Sequence, residues 1–84
     1  MSFEKGQVVI SRAGRDKGYP LIVLEEKDGA VFVADGKERP LSRPKSKNPK
    51  HLSPTSIIID GADTETDSKI RKALKQFLSE DKHG

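Results

Sequence analysis

An Asp28-Gly29 pair lies between two short apolar runs, Leu21-Ile22-Val23-Leu24 and Ala30-Val31-Phe32-Val33-Ala34. Aspartate and glycine tolerate the positive φ angles of a two-residue turn whose twist matches that of its flanking strands, so the two runs are expected to pair as an antiparallel hairpin. The second run alternates with a period of two, and neither run is long enough for a helix of ordinary length.

Gln7 to Ser11 is β-branched at its centre and follows Gly6, which predicts a first strand with Val8 and Ile10 on one face. The segment Arg12-Ala13-Gly14-Arg15-Asp16-Lys17-Gly18 then places two glycines four residues apart among charged residues, the composition of a tight loop. A second strand is expected over Leu21 to Glu26 and a third over Ala30 to Ala34. Asp35-Gly36 repeats the turn signal before a shorter strand around Arg39 to Arg43, which Pro40 and Pro44 confine to an edge. Pro44, Pro49 and Pro54 predict an extended, solvated arm without helix, and Thr55 to Ile59 supplies the last strand.

After the turn Asp60-Gly61-Ala62-Asp63, Thr64 and Asp67 have the spacing of a capping box. Ile70, Ala73, Leu74, Phe77 and Leu78 recur at helical spacing over an arc of about 140°, while Arg71, Lys72, Lys75 and Gln76 occupy the rest of the helix surface. The expected fold is therefore mainly β: a small antiparallel β-barrel over residues 1–59, with a basic loop at 37–51, closed or flanked by a C-terminal α-helix. Residues 60–84 supply the turn, that amphipathic helix and a short tail.

Several function classes have no support. A chain of 84 residues holds one domain, and a core of that size buries only about 60% of the unfolded surface, which leaves little room for a multi-step active site. The absence of cysteine removes disulfides, thiol catalysis and cysteine-ligated zinc, and it suits a reducing compartment. His51 and His83 assemble no triad with a nucleophile. Gly14 to Gly18 lacks the spacing of a P-loop. Asp60, Asp63, Glu65 and Asp67 lack the spacing of a calcium loop, and acids ahead of a helix serve capping and the helix dipole. No apolar run approaches the roughly 20 residues of a membrane helix, and the first residues lack the apolar stretch of a secretory signal. The expectation is a non-enzymatic, cytoplasmic monomer with no cofactor, no metal and no membrane association.

Charge points to the partner. The net charge is +3, from 16 basic and 13 acidic residues. The stretch from Lys37 to Lys50 holds six of those basic residues against one acid, Glu38, so the positive field is local and suits a polyanion.

Five segments occur in a telling order: Gly6-Gln7-Val8-Val9-Ile10, Ala13-Gly14-Arg15-Asp16-Lys17-Gly18, Leu21 to Leu24, Val31-Phe32-Val33-Ala34-Asp35-Gly36, and Lys50-His51-Leu52-Ser53-Pro54-Thr55. This series resembles the KOW domains of ribosomal proteins and transcription elongation factors. It is similar to the KOW-type large-subunit ribosomal proteins of archaea and eukaryotes, and more similar still to their short bacterial RNA-binding relatives. The resemblance covers about residues 6–59. It departs from many KOW motifs at Tyr19-Pro20-Leu21, where those carry a further glycine. It implies an SH3-like barrel that binds ribosomal or other structured RNA, with a role in translation at the large ribosomal subunit. Thirteen acids and a net charge of +3 are modest for a buried ribosomal component, which favours a ribosome-associated factor or an auxiliary RNA binder over a structural component.

The candidate RNA-binding residues follow. Gly14 and Gly18 would let loop amides approach phosphate oxygens, with Arg12, Arg15 and Lys17 supplying charge. Arg39, Arg43, Lys45, Lys47 and Lys50 would extend the contact along a proline-stiffened arm. Tyr19 would stack on an unpaired base, and His51 would stack or meet phosphate. Each has a plainer reading: a solvated turn, a solubilising loop, a tyrosine packed at a strand end, a histidine fixing the start of a strand through its backbone. The basic face of the helix, with Lys69, Arg71, Lys72 and Lys75, reads as solvated surface. The same loops could instead meet an acidic protein, since SH3-like barrels also serve as protein interaction modules in transcription and translation.

Overall fold

Leu21, Ile22 and Val23 are consecutive along one strand and all three are fully buried, which requires cover on both faces of the sheet. The computed structural model describes residues 3–81 and shows how that cover arises; the tail that holds His83 lies outside them. Five strands form one antiparallel sheet: β1 (Gln7–Ser11), β2 (Pro20–Lys27), β3 (Ala30–Ala34), β4 (Lys45–Lys47) and β5 (Leu52–Ile58). Their spatial order is β4-β3-β2-β1-β5, so the first four strands form a meander and the last returns beside the first. Strands β4 and β5 are the two edges of an open sheet, joined in sequence by a single 3-10 turn at Pro49–His51. One helix, α1 (Asp67–Asp81), follows a 3-10 turn at Gly61–Thr64.

The two faces carry separate cores. Val9, Leu21, Val23, Val31, Val33 and Leu52 form one cluster, with Phe3 packed against it. Val8, Ile22 and Ala34 form the other with Ile70 and Leu74 of α1, bordered by Leu24, Leu41, Ile59 and Phe77. Val8 and Val9 are therefore both fully buried while Ile10 is only half-buried, in contrast to the expected single inward face of Val8 and Ile10. The helix supplies the second apolar surface that makes this favourable. Leu78 lies at one limit of the helix's apolar arc and remains 42% exposed.

The central hairpin turns as its sequence requires, with Asp28 at φ 52° and Gly29 at φ 80°. Two irregularities bend the sheet. One lies between Val23 and Glu25 on β2, the other between Gln7 and Val9 opposite β5. At the second, Gln7 Nε2 donates to the Thr55 carbonyl (3.0 Å) and Thr55 Oγ1 donates to the Val8 carbonyl (2.7 Å), so side chains satisfy backbone groups that the interrupted ladder leaves unpaired.

Three expectations are corrected. No strand occupies Arg39 to Arg43. One Asp35 carboxylate oxygen accepts the amides of Lys37 and Arg39, Arg43 donates to the Pro40 carbonyl, and the Leu41 amide donates to Asp67, so this segment's donors go to turns and to the helix. The proline arm is not simply extended and solvated: it contains β4 and a 3-10 turn whose Asn48 side chain accepts the Lys50 amide, and β5 already begins at Leu52. Finally, Thr66, not Thr64, caps α1, its hydroxyl accepting the Lys69 amide at 3.2 Å. Thr64 closes the preceding turn by donating to the Gly61 carbonyl.

Candidate nucleic-acid interface

The loop from Arg12 to Gly18 connects β1 to β2, and it is built around one buried carboxylate. Asp16 is the loop's only acid, and its side chain turns inward while Arg12, Arg15 and Lys17 remain exposed. Its Oδ1 meets the Lys47 ammonium at 2.7 Å and accepts the Ser11 hydroxyl at 2.8 Å. Lys47 arrives from β4 and also donates to the Ala13 carbonyl at 3.0 Å and to Ser11 Oγ at 3.2 Å. Asp16 Oδ2 is buried without a hydrogen-bond partner among the described residues, with Arg39 Nε 4.0 Å away. Burial alone would raise the pKa of this carboxyl. The hydrogen bonds from Lys47 and Ser11, together with the Lys47 charge, outweigh it and hold the group below the usual carboxylate range.

Lys47 is thus corrected from an arm residue reaching for phosphate to a buried ion-pair partner, 8% exposed. The expected use of loop amides is also restricted. Lys17 donates to Gly14, Gly18 to Ser11 and Tyr19 to Asp16, all within the loop and its stem. The amides of Ala13, Gly14 and Arg15 make no hydrogen bond among the described residues, so the loop can offer a phosphate these donors together with the charge of Arg12, Arg15 and Lys17. Gly14 and Gly18, at φ 86° and 89°, make these tight turns possible, and a Cβ on Gly14 would lie 3.4 Å from the Lys47 ammonium.

The Arg12 amide donates to the His51 carbonyl at 2.8 Å, and Ser11 pairs with Leu52 across β1 and β5. The 3-10 turn bearing Lys50 and His51 is therefore seated against the base of the loop, and both residues are exposed. His51 fixes the start of β5 through its backbone, its amide donating to the Asn48 carbonyl at 2.9 Å, and among the described residues no hydrogen bond or ion pair engages the imidazole. One end of the sheet accordingly presents Arg12, Arg15, Lys17, Lys50 and His51, with half-buried Arg39 near Asp16. Arg43 and Lys45 are exposed, but among the described residues no hydrogen bond or ion pair ties them to this cluster. Tyr19 follows the loop and is 63% exposed.

Sequence reasoning missed the organising roles of Ser11 and Asp16. The available signal was an acid enclosed by Arg15 and Lys17, which a loop of that charge has reason to bury against a cation. Comparison with protein-family models and with curated proteins finds no match to this chain.

Proposed function

We propose that this protein is a non-catalytic RNA-binding protein of the KOW type, a small SH3-like barrel flanked by a helix, acting as a ribosome-associated factor in the cytoplasm. The observation that carries the reading is the sequestration of Asp16. By burying the loop's only acid on Lys47, the fold leaves an outward surface of Arg12, Arg15 and Lys17 with no acid of the same loop competing for them. Lys50 and His51 extend that surface because their turn is bonded to the Arg12 amide. Separated cations on a rigid frame suit phosphates spaced along a nucleic-acid backbone and give contacts to shape more than to base identity. Arg43 and Lys45 add charge at a distance.

Four phosphate contacts, from Arg12, Arg15, Lys17 and Lys50, predict that log affinity falls with log salt at a slope of about −3 to −4. The Arg15→Gln/Lys17→Gln double variant should remain folded, bind structured RNA at least tenfold more weakly, and show a slope shallower by about two. Filter binding across a salt series checks this, and unchanged affinity in the folded variant would remove the loop from the interface. In native lysate the protein should sediment with large ribosomal subunits in low salt and leave them after RNase treatment or in high salt.

A second reading has one observation in its favour. Ile57 and Ile58 are 38% and 53% exposed on the edge strand β5, two apolar side chains beside an open strand edge that a protein partner could pair with and cover. Binding through that edge would survive high salt and would be insensitive to Arg15 and Lys17.

A further inference from the structure

Tyr19 stands at one wall of a groove of about 340 Å³ between the start of β2 and the outer flank of α1. Its backbone is pinned on both sides, the amide donating to the Asp16 carbonyl (2.9 Å) and the carbonyl accepting the Ser11 amide (3.0 Å), yet its ring is 63% exposed. Pro20 adjoins it, and Leu74 and Leu78 supply the apolar surface on the helix side. Three cations rim this surface: Lys37 from the β3–β4 connection, and Arg71 and Lys75 from α1. Arg71 is anchored by a hydrogen bond to the Gly36 carbonyl, which holds one guanidinium nitrogen and leaves the other donors available. The single acid of the groove, Asp35, has one carboxylate oxygen already accepting the Lys37 and Arg39 amides at 2.8 Å.

We propose that this groove holds one unstacked nucleobase of a bound RNA strand against Tyr19, with the flanking phosphates on Lys37, Arg71 and Lys75. The inference rests on the RNA reading above and extends it to a single-stranded element. An exposed aromatic ring on a pinned backbone offers a base the stacking surface it loses on leaving a helix, and the anion that accompanies every base matches the cations at the rim. Charge sets this occupant apart from an uncharged apolar peptide, which would leave those three cations unused. The groove also begins where the basic loop ends, at Gly18-Tyr19, so a strand lying on Arg15 and Lys17 leads into it.

The chain has one tyrosine and no tryptophan, so its intrinsic fluorescence reports on Tyr19 alone. Titration with a short oligouridine should quench that emission in step with binding, and a short blunt RNA duplex should bind while quenching far less. Tyr19→Ala should lower affinity for oligouridine about tenfold while leaving the duplex within about twofold, and Tyr19→Phe should retain most of the affinity, because stacking does not need the hydroxyl. Lys37→Gln with Lys75→Gln should make the oligouridine salt slope shallower by about 1.4. If oligouridine binds with Tyr19 emission unchanged and Tyr19→Ala as tight as wild type, the groove proposal fails and the loop interface stands. An equal loss of both probes in Tyr19→Ala would also overturn it, since the ring would then be supporting the loop. If neither RNA binds, this proposal and the RNA reading fall together.

Discussion

Replacing Lys47 with Met should cost about 3–5 kcal/mol of folding stability, a large part of the roughly 5–15 kcal/mol available to a small domain. The substitution keeps most of the aliphatic stem and removes the ammonium, leaving the Asp16 carboxylate buried with one Ser11 hydroxyl and a distant Arg39. The pair itself need not be a net gain over apolar groups, so Asp16→Leu/Lys47→Met should recover much of the loss. Acid dependence separates the two effects. In the wild type the folded pKa of Asp16 lies below its unfolded value, so the stability this contributes is complete above the unfolded carboxylate value of about 3.9 and disappears as pH falls through the folded value. In Lys47→Met, burial without the cation raises the folded value above the unfolded one, so acid should relieve part of the damage. Urea unfolding across pH should therefore show the two stability curves drawing together from above about pH 4, where the variant gains, and further below it, where the wild type loses. A loss under about 1 kcal/mol at neutral pH would mean that the loop is not held by this pair.

Ile70→Ala should cost about 2–5 kcal/mol, because the side chain is fully buried among Val8, Ile22, Ala34 and Leu74. The same substitution at Leu78, at the rim of the helix face, should cost less than about 1 kcal/mol. This contrast makes α1 the cover for the outer face of the sheet and not an appendage to a self-sufficient barrel. Comparable small losses at both positions by thermal or urea unfolding would contradict the second core.

What could be read from the residues was what local chemistry decides. Asp28-Gly29 fixes its own turn, the alternation of Ala30 to Ala34 fixes a strand, and the spacing of Ile70, Leu74 and Phe77 fixes a helix face whatever lies across from it. Misses arose where a partner distant in sequence decides. Lys47 looks like any lysine between prolines, and only a carboxylate 31 residues earlier makes it a core residue. The segment from Arg39 to Arg43 looks like an edge strand until Asp67 takes the Leu41 amide. Thr64 has the spacing of a cap to Asp67, but the 3-10 turn at Gly61–Thr64 engages its hydroxyl and the cap falls to Thr66. At the interface, the outward charges of Arg12, Arg15 and Lys17 were legible because each loop residue bears its own charge. The seating of His51 against Arg12 and the basic rim around Tyr19 were not, because both depend on how the strands and the helix come together.

Ultraviolet crosslinking in living cells, with mass spectrometry of the peptide–nucleotide adducts, tests the central claim most directly because it asks which residues touch RNA without naming the RNA in advance. The account predicts adducts concentrated between Arg12 and Tyr19 and at Lys50 and His51, lost from the loop in the Arg15→Gln/Lys17→Gln variant. A protein recovered in good yield without adducts, or with adducts confined to the β5 edge around Ile57 and Ile58, would contradict it.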